Sequence, residues 1–275
     1  QMKIECAEEF MESELLRLGL YGRNGSGKST LIASVPDTEK LLVVSEEGQN
    51  IRPYMKAPHI KVAIAHTWDD VIEIYKIVGK AKSQGSGPTV VAFDGWPIRL
   101  IINKVLNAHL APGEEKEWLV NPPDSFPSGK EIWGQWDEIA ALSKWGMLAW
   151  FRQPVHLVFS FDEQDPKIEK GEVTRRGGPL LNNQPLVGVK HYLEIIGRLF
   201  AEVVDAPFQL GSGVPENVEE RRRLLLGENE FWYAKGPVHV LGHCMVDPTY
   251  TKLLAAVHAE PLRLNGYHKK EEEEF

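Results

Sequence analysis

The apolar run Leu15–Tyr21 leads straight into a stretch of glycines, and helix-compatible residues continue from Ser29 to Val35 until Pro36 interrupts them. That order predicts strand, loop, helix. Leu41–Ser45 (LLVVS) and Thr89–Phe93 (TVVAF) are short apolar, β-branched runs bounded by polar or Gly/Pro residues, the pattern of buried parallel strands. Between them, Val71, Ile72, Tyr75, Val78 and Ala81 recur at helical spacing over Trp68–Lys82, with charges on the other side, so a crossover helix is expected. The same spacing returns over Glu131–Phe151 through Ile132, Trp136, Ile139, Ala140, Leu142 and Leu148. Pro154 stops that helix before a fourth strand, Val155–Phe161 (VHLVFSF). Its tryptophans, Trp133, Trp136, Trp145 and Trp150, are read as core residues. Strands alternating with helices imply a three-layer α/β/α fold around a mostly parallel central sheet, with ligands at the carboxyl ends of the strands.

Two stretches read as long loops, Ala111–Lys130, rich in proline and charge, and Asp162–Lys190, rich in glycine and basic residues. Beyond them, Tyr192–Val204, Phe231–Ala234, Val238–Leu241 and Leu253–His258 supply a closing set of strands or short helices. The expected organisation is an N-terminal extension (1–14), one main domain (15–262) and an acidic tail (263–275) ending in KKEEEEF.

With 43% hydrophobic and 25% charged residues, the 275-residue chain has ordinary globular composition and can bury one substantial core. Its formal net charge of -8 argues against a surface attractive to nucleic acid throughout, leaving room for a local basic patch. Cys6 and Cys244 stand far apart, which supports neither a disulfide framework nor a zinc cluster. The histidines, His239 and His243 among them, occur singly and are read as structural. No apolar run reaches the roughly 18 residues of a membrane span, and Gln1–Glu9 is acidic rather than signal-like, so a cytoplasmic location is expected.

Composition says little about chemistry, whereas Gly22-Arg23-Asn24-Gly25-Ser26-Gly27-Lys28-Ser29 says much. It satisfies G-x-x-x-x-G-K-[ST], the Walker A pattern, in which successive backbone N–H groups wrap phosphate oxygens. In that pattern Lys28 reaches the β- and γ-phosphates and the Ser29 hydroxyl ligates Mg²⁺, with Thr30 following on the helix. Asp94 ends the run TVVAF (Walker B, 90–94), where a carboxylate beside a phosphate loop receives the water shell of Mg²⁺; the alternative is a plain strand-end turn before Gly95. Position 95 offers no water-activating acid. Glu46 and Glu47, at the end of LLVVSEEG, are the substitutes, with Glu47 favoured because Gly48 permits a tight turn after it; the alternative is a pair of solvated loop acids. ATP and Mg²⁺ are therefore the expected ligands.

SEEGQNIRP resembles the glutamate-glycine segment of the RecA/RadA recombinases, and the order of elements over Leu15–Phe200 resembles the phage RecA-like ATPases of single-strand annealing and recombination. The resemblance implies a RecA-like P-loop core and a γ-phosphate sensor at the tip of the fourth strand, here Ser160 in LVFSF; a serine bonded to backbone is the alternative. Leu186-Val187-Gly188-Val189-Lys190 resembles the Leu-x-Gly-Lys element of the similar phage proteins, with one residue added. Through it Lys190 would touch ATP on an adjacent subunit of a homo-oligomer, unless it is a solvated surface lysine. The basic loop, with Lys167, Lys170, Arg175 and Arg176, occupies the place of a DNA-binding loop, although Glu169 and Glu172 dilute its charge. Single-stranded DNA is the implied partner, and the acidic tail is similar to those that recruit partner proteins.

Two other classes remain open. A P-loop phosphotransferase would recruit Arg175 and Arg176, or Arg221 to Arg223, as a lid, but has no need of a water-activating glutamate. A nucleotide-bound assembly or packaging component would hydrolyse slowly. A GTPase is disfavoured, because Asn103-Lys104-Val105-Leu106 lacks the aspartate that reads guanine.

Overall fold

A computed structural model of the chain describes residues 15–55, 57–108, 135–180, 189–204 and 219–259. The expected extension, the loop Ala111–Lys130, the acidic tail and Leu186–Gly188 lie outside the described residues.

The fold is mixed α/β, built on a large, mostly parallel central sheet. In chain order the first half runs β1 (Arg17–Tyr21), α1 (Lys28–Ile32), β2 (Leu41–Glu46), α2 (Arg52–Met55), β3 (Lys61–Ala65), α3 (Trp68–Ser83), β4 (Val90–Asp94) and α4 (Ile98–Ala108). The second half runs α5 (Trp136–Trp150), β5 (His156–Phe161), β6 (Glu163–Gln164), β7 (Lys167–Glu169), β8 (Glu172–Arg175), β9 (Gly178–Pro179), β10 (Ile195–Val204), β11 (Glu219–Leu225), α6 (Val238–Leu241), β12 (Cys244–Val246) and α7 (Tyr250–Ala259). Eight strands form the main sheet in the order β12-β11-β10-β1-β5-β4-β2-β3. From β10 to β3 every pairing is parallel, and β11 and β12 continue the edge antiparallel.

The strands are apolar at nearly every position because both sheet faces are covered. Alternate residues feed two separate clusters. Tyr21, Val91, Phe93, Phe159 and Phe161 point to one, which is closed by side chains of α3, α4 and α5 such as Val71, Ile101 and Trp150. Leu18, Leu20, Val43, Ala92 and Val158 point to the other, closed by Leu31, Ile32, Tyr54 and Leu253 from α1, α2 and α7.

The strand expectations hold to within about two residues, and the helix over Trp68–Lys82 is α3. A reciprocal cap starts it: Asp70 N–H donates to Thr67 Oγ1 at 3.2 Å while Thr67 N–H donates to Asp70 Oδ2 at 2.8 Å. The segment after Ser29 is shorter than expected, a helix of five residues. Of the helix tryptophans, Trp150 is buried and Trp136 half-buried, but Trp145 is 63% exposed and is not a core residue.

Asp162–Lys190 departs most from expectation, because its described part is structured rather than an open loop. β7 and β8 form a hairpin, turned by Lys170 at φ 52° and Gly171 at φ 85°. Two consecutive positive φ values define the two-residue turn whose twist suits a hairpin, and a glycine takes the second without strain. β6 and β9 pair beneath it.

Candidate functional site

The carboxyl ends of β1, β2, β4 and β5 open into a cleft of about 710 Å³, of the size that holds a small-molecule ligand. Its walls include Asn24 through Thr30, Glu46 through Asn50, Asp94, Ser160 and Arg222.

The loop from Gly22 to Ser29 is bent tightly against the sheet. A Cβ on Gly22 would lie 2.2 Å from the backbone oxygen of Leu199 on β10, so only glycine lets the chain leave β1 there. Gly27 has φ 99° and serves as the N-cap of α1. At the bend, Ser26 Oγ is buried with no hydrogen-bond partner among the described residues. Lys28 folds back over the loop, its Nζ donating to Gly22 O at 2.5 Å and to Arg23 O at 3.3 Å. Burial lowers the pKa of Lys28, opposed by the charges of Asp162, Asp94 and Glu163. Arg23 pairs outward with Asp165 at 3.0 Å, whereas Lys28 and Arg222 both stand at the loop.

Ser29 and Asp94 meet across the cleft floor. Ser29 Oγ lies 2.9 Å from Oδ2 and 3.1 Å from Oδ1 of Asp94. The aspartate itself is buried, as the strand-end position implies, and Ser160 braces it. Ser160 Oγ donates to Asp94 Oδ1 at 3.3 Å and accepts from Gly95 N–H at 2.7 Å, while Trp96 N–H bonds Ser160 O at 2.9 Å. This contact follows from topology, since β5 is inserted between β1 and β4 and carries Ser160 level with both strand ends. Two adjacent oxygens, one hydroxyl and one carboxylate, suit a hard divalent cation that keeps most of its water.

The glutamates diverge. Glu46 is half-buried, and desolvation pushes its pKa up to about 7, with Arg99 pulling down and Asp162 pushing up. Glu47 lies on the cleft wall with its side chain 73% exposed and Oε2 3.0 Å from Nδ1 of His66. Gly48, at φ 83°, makes the tight turn expected after Glu47. His66 was read as structural; its contact with Glu47 joins residues separated by all of α2 and β3, which no local spacing reveals.

Asn24, Gly25, Ser26, Gly27, Lys28, Ser29, Thr30, Glu47, Asp94 and Ser160 thus gather at one cleft. Lys190 does not line it: within one chain its Nζ sits 6.0 Å over the ring of Tyr233. The hairpin cations are also apart from the cleft. Lys167 pairs with Glu169 at 2.6 Å and Arg176 with Glu228 at 2.8 Å, whereas no ion pair is formed by Lys170 or Arg175 among the described residues. Of the arginines that a phosphotransferase lid would recruit, Arg222 lines the cleft; it lies on β11, whose EERRRLL sequence carries no strand alternation. Asn103 and Lys104 fall inside α4, where Lys104 pairs with Asp69 at 2.7 Å.

Compared with known proteins, the chain matches no family model and no curated protein. No helix among the described residues is long and apolar enough to cross a membrane.

Proposed function

We propose that the chain is a Mg²⁺-dependent ATPase with a RecA-like P-loop core, acting on single-stranded DNA in recombination or strand annealing. The observation that carries the ATPase reading is the Ser29–Asp94 contact at 2.9 and 3.1 Å beneath a glycine loop that matches the phosphate-binding pattern. The buried Ser26 Oγ and the Gly22 close approach fit a triphosphate in that loop, where main-chain N–H groups supply the donors.

Ser29 and Asp94 would hold the cation, directly and through its water, and Lys28 would swing from Gly22 O to the terminal phosphates. Bound Mg²⁺ supplies charge neutralisation on the phosphate oxygens. Glu47 orients the attacking water from the cleft wall, steadied by His66, and Ser160 keeps the Asp94 carboxylate in register with the loop. The insertion of β5 between β1 and β4 supports a RecA-like reading, because it puts a polar strand residue between phosphate loop and aspartate.

The DNA reading is supported by the hairpin, which carries Lys170 on its turn and Arg175 at the far end of β8. Lys190, away from its own cleft, is free to act on a neighbouring subunit's nucleotide in a homo-oligomer. Partner recruitment through the acidic tail rests on its sequence alone.

The deciding experiment measures ATP turnover with and without single-stranded DNA for the parent chain, Lys28→Ala and Glu47→Gln. Turnover that rises with DNA and vanishes in both variants is expected; parent-like turnover in Lys28→Ala contradicts the site. A phosphotransferase gains one observation in its favour, Arg99 and Arg222 both lining the cleft. Phosphate appearing on an added acceptor rather than in solution would select it.

A further inference from the structure

Tyr54 has no part in the reading above, yet its surroundings single it out. It lies in α2, the single turn that follows the glutamate segment, and is only 2% exposed. Its hydroxyl faces the Asp94 carboxylate and the Ser29 hydroxyl. It stands within interaction range of both, but reaches ordinary hydrogen-bond geometry with neither, nor with any other described residue. A buried donor without an acceptor is costly to keep, and phenylalanine in the same space would avoid that cost. Asp94 already accepts from Ser29 and Ser160, which leaves the phenol beside the Ser29–Asp94 pair without a partner of its own.

We propose that Tyr54 is a positioning residue of the divalent-cation site, its hydroxyl donating to a water at the Ser29–Asp94 pair when the cation is bound. An ordinary phenol is protonated at neutral pH, so the group is available as a donor. Through this bond α2, and the Glu46–Gly48 turn just before it, is drawn to the cation site only in the loaded state. The segment that carries the proposed water-orienting glutamate would thereby be set by cation binding, without a direct ligand of its own.

This inference rests on the Mg²⁺–nucleotide reading, and its test separates the two. ATP affinity is measured by calorimetry in Mg²⁺ and in EDTA for the parent and for Tyr54→Phe, together with the melting temperature of each chain without ligand. The Mg²⁺-dependent gain in affinity should fall about three- to ten-fold in the variant, the loss of one ordinary hydrogen bond. Affinity in EDTA should not change, and the melting temperature should stay equal or rise. A variant that keeps the full Mg²⁺ gain overturns the proposal, as does an equal loss in EDTA or a lowered melting temperature. A parent chain with no Mg²⁺-dependent gain overturns the underlying reading and this one with it, a result distinct from a parental gain that the variant retains.

Discussion

Glu47 Oε2 lies 3.0 Å from Nδ1 of His66, whose backbone N–H is itself held at 2.9 Å by the Asp70 carboxylate that caps α3. A helix start thus fixes a histidine, and the histidine steadies an acid on the cleft wall. Both partners are more than half exposed, so the pair is worth at most about 1 kcal/mol. Replacing Glu47 by Gln should lower turnover by roughly 10² to 10⁴ with nucleotide affinity kept. His66→Ala should lower kcat by only about two- to five-fold. Steady-state kinetics of both variants checks this; a His66→Ala defect as deep as that of Glu47→Gln would mean the histidine does more than steady its partner.

Lys28 is charged in a site that burial makes unfavourable for charge, which is why its pKa is lowered. Lys28→Met removes that penalty while keeping the stem, so the chain without ligand should melt at the same temperature or higher. Its affinity for ATP should fall about 10- to 100-fold, the value of one or more charge-assisted hydrogen bonds. Thermal unfolding and calorimetry measure the two effects separately.

Glu46 gives a pH dependence with a definite sign. Its folded pKa of about 7 lies above the unfolded value of 4.5, so folding favours the protonated form. Stability from this group is fully present below the unfolded value and is lost as pH rises through about 7. Glu46→Gln should therefore stabilise the chain at pH 8 by up to roughly 3 kcal/mol, with little difference near pH 4. Chemical denaturation across that range tests it, and an equal effect at both ends would assign the change to packing instead.

The hairpin cations should divide into two pairs. Lys167 and Arg176 are already matched to Glu169 and Glu228, so neutralising them should barely alter oligonucleotide binding. Lys170→Ala and Arg175→Ala should each weaken binding uniformly across sequences and reduce the salt slope by about one. Titrations of a fluorescent oligonucleotide at several salt concentrations distinguish these outcomes.

The parallel strands were legible because burial on both faces leaves them as unbroken apolar runs, as in LLVVS and VHLVFSF. The glycine loop and Asp94 were legible because phosphate and cation chemistry constrain a short, contiguous spacing. What escaped obeys other rules. KVAIA (β3) is an edge strand, half-covered and thus weakly patterned, and EERRRLL (β11) is polar because it also lies toward an edge. α4 was not among the expected elements, although Leu100, Ile101, Val105 and Leu106 mark its buried face at helical spacing. The contacts of His66, Tyr54 and Arg222 depend on which strands become neighbours, and that information is not local.

Arg222 stands against the loop at the cleft wall: a Cβ at Gly27 would come within 2.5 Å of its Nε. It is carried by β11, which is laced antiparallel to β10 on one side and β12 on the other. The glycine loop therefore has a mechanical neighbour at the far margin of the sheet. Any side chain at position 27 would have to push that guanidinium aside, so the antiparallel margin crowds the ligand-facing bend and adds to the positive φ in favouring glycine there.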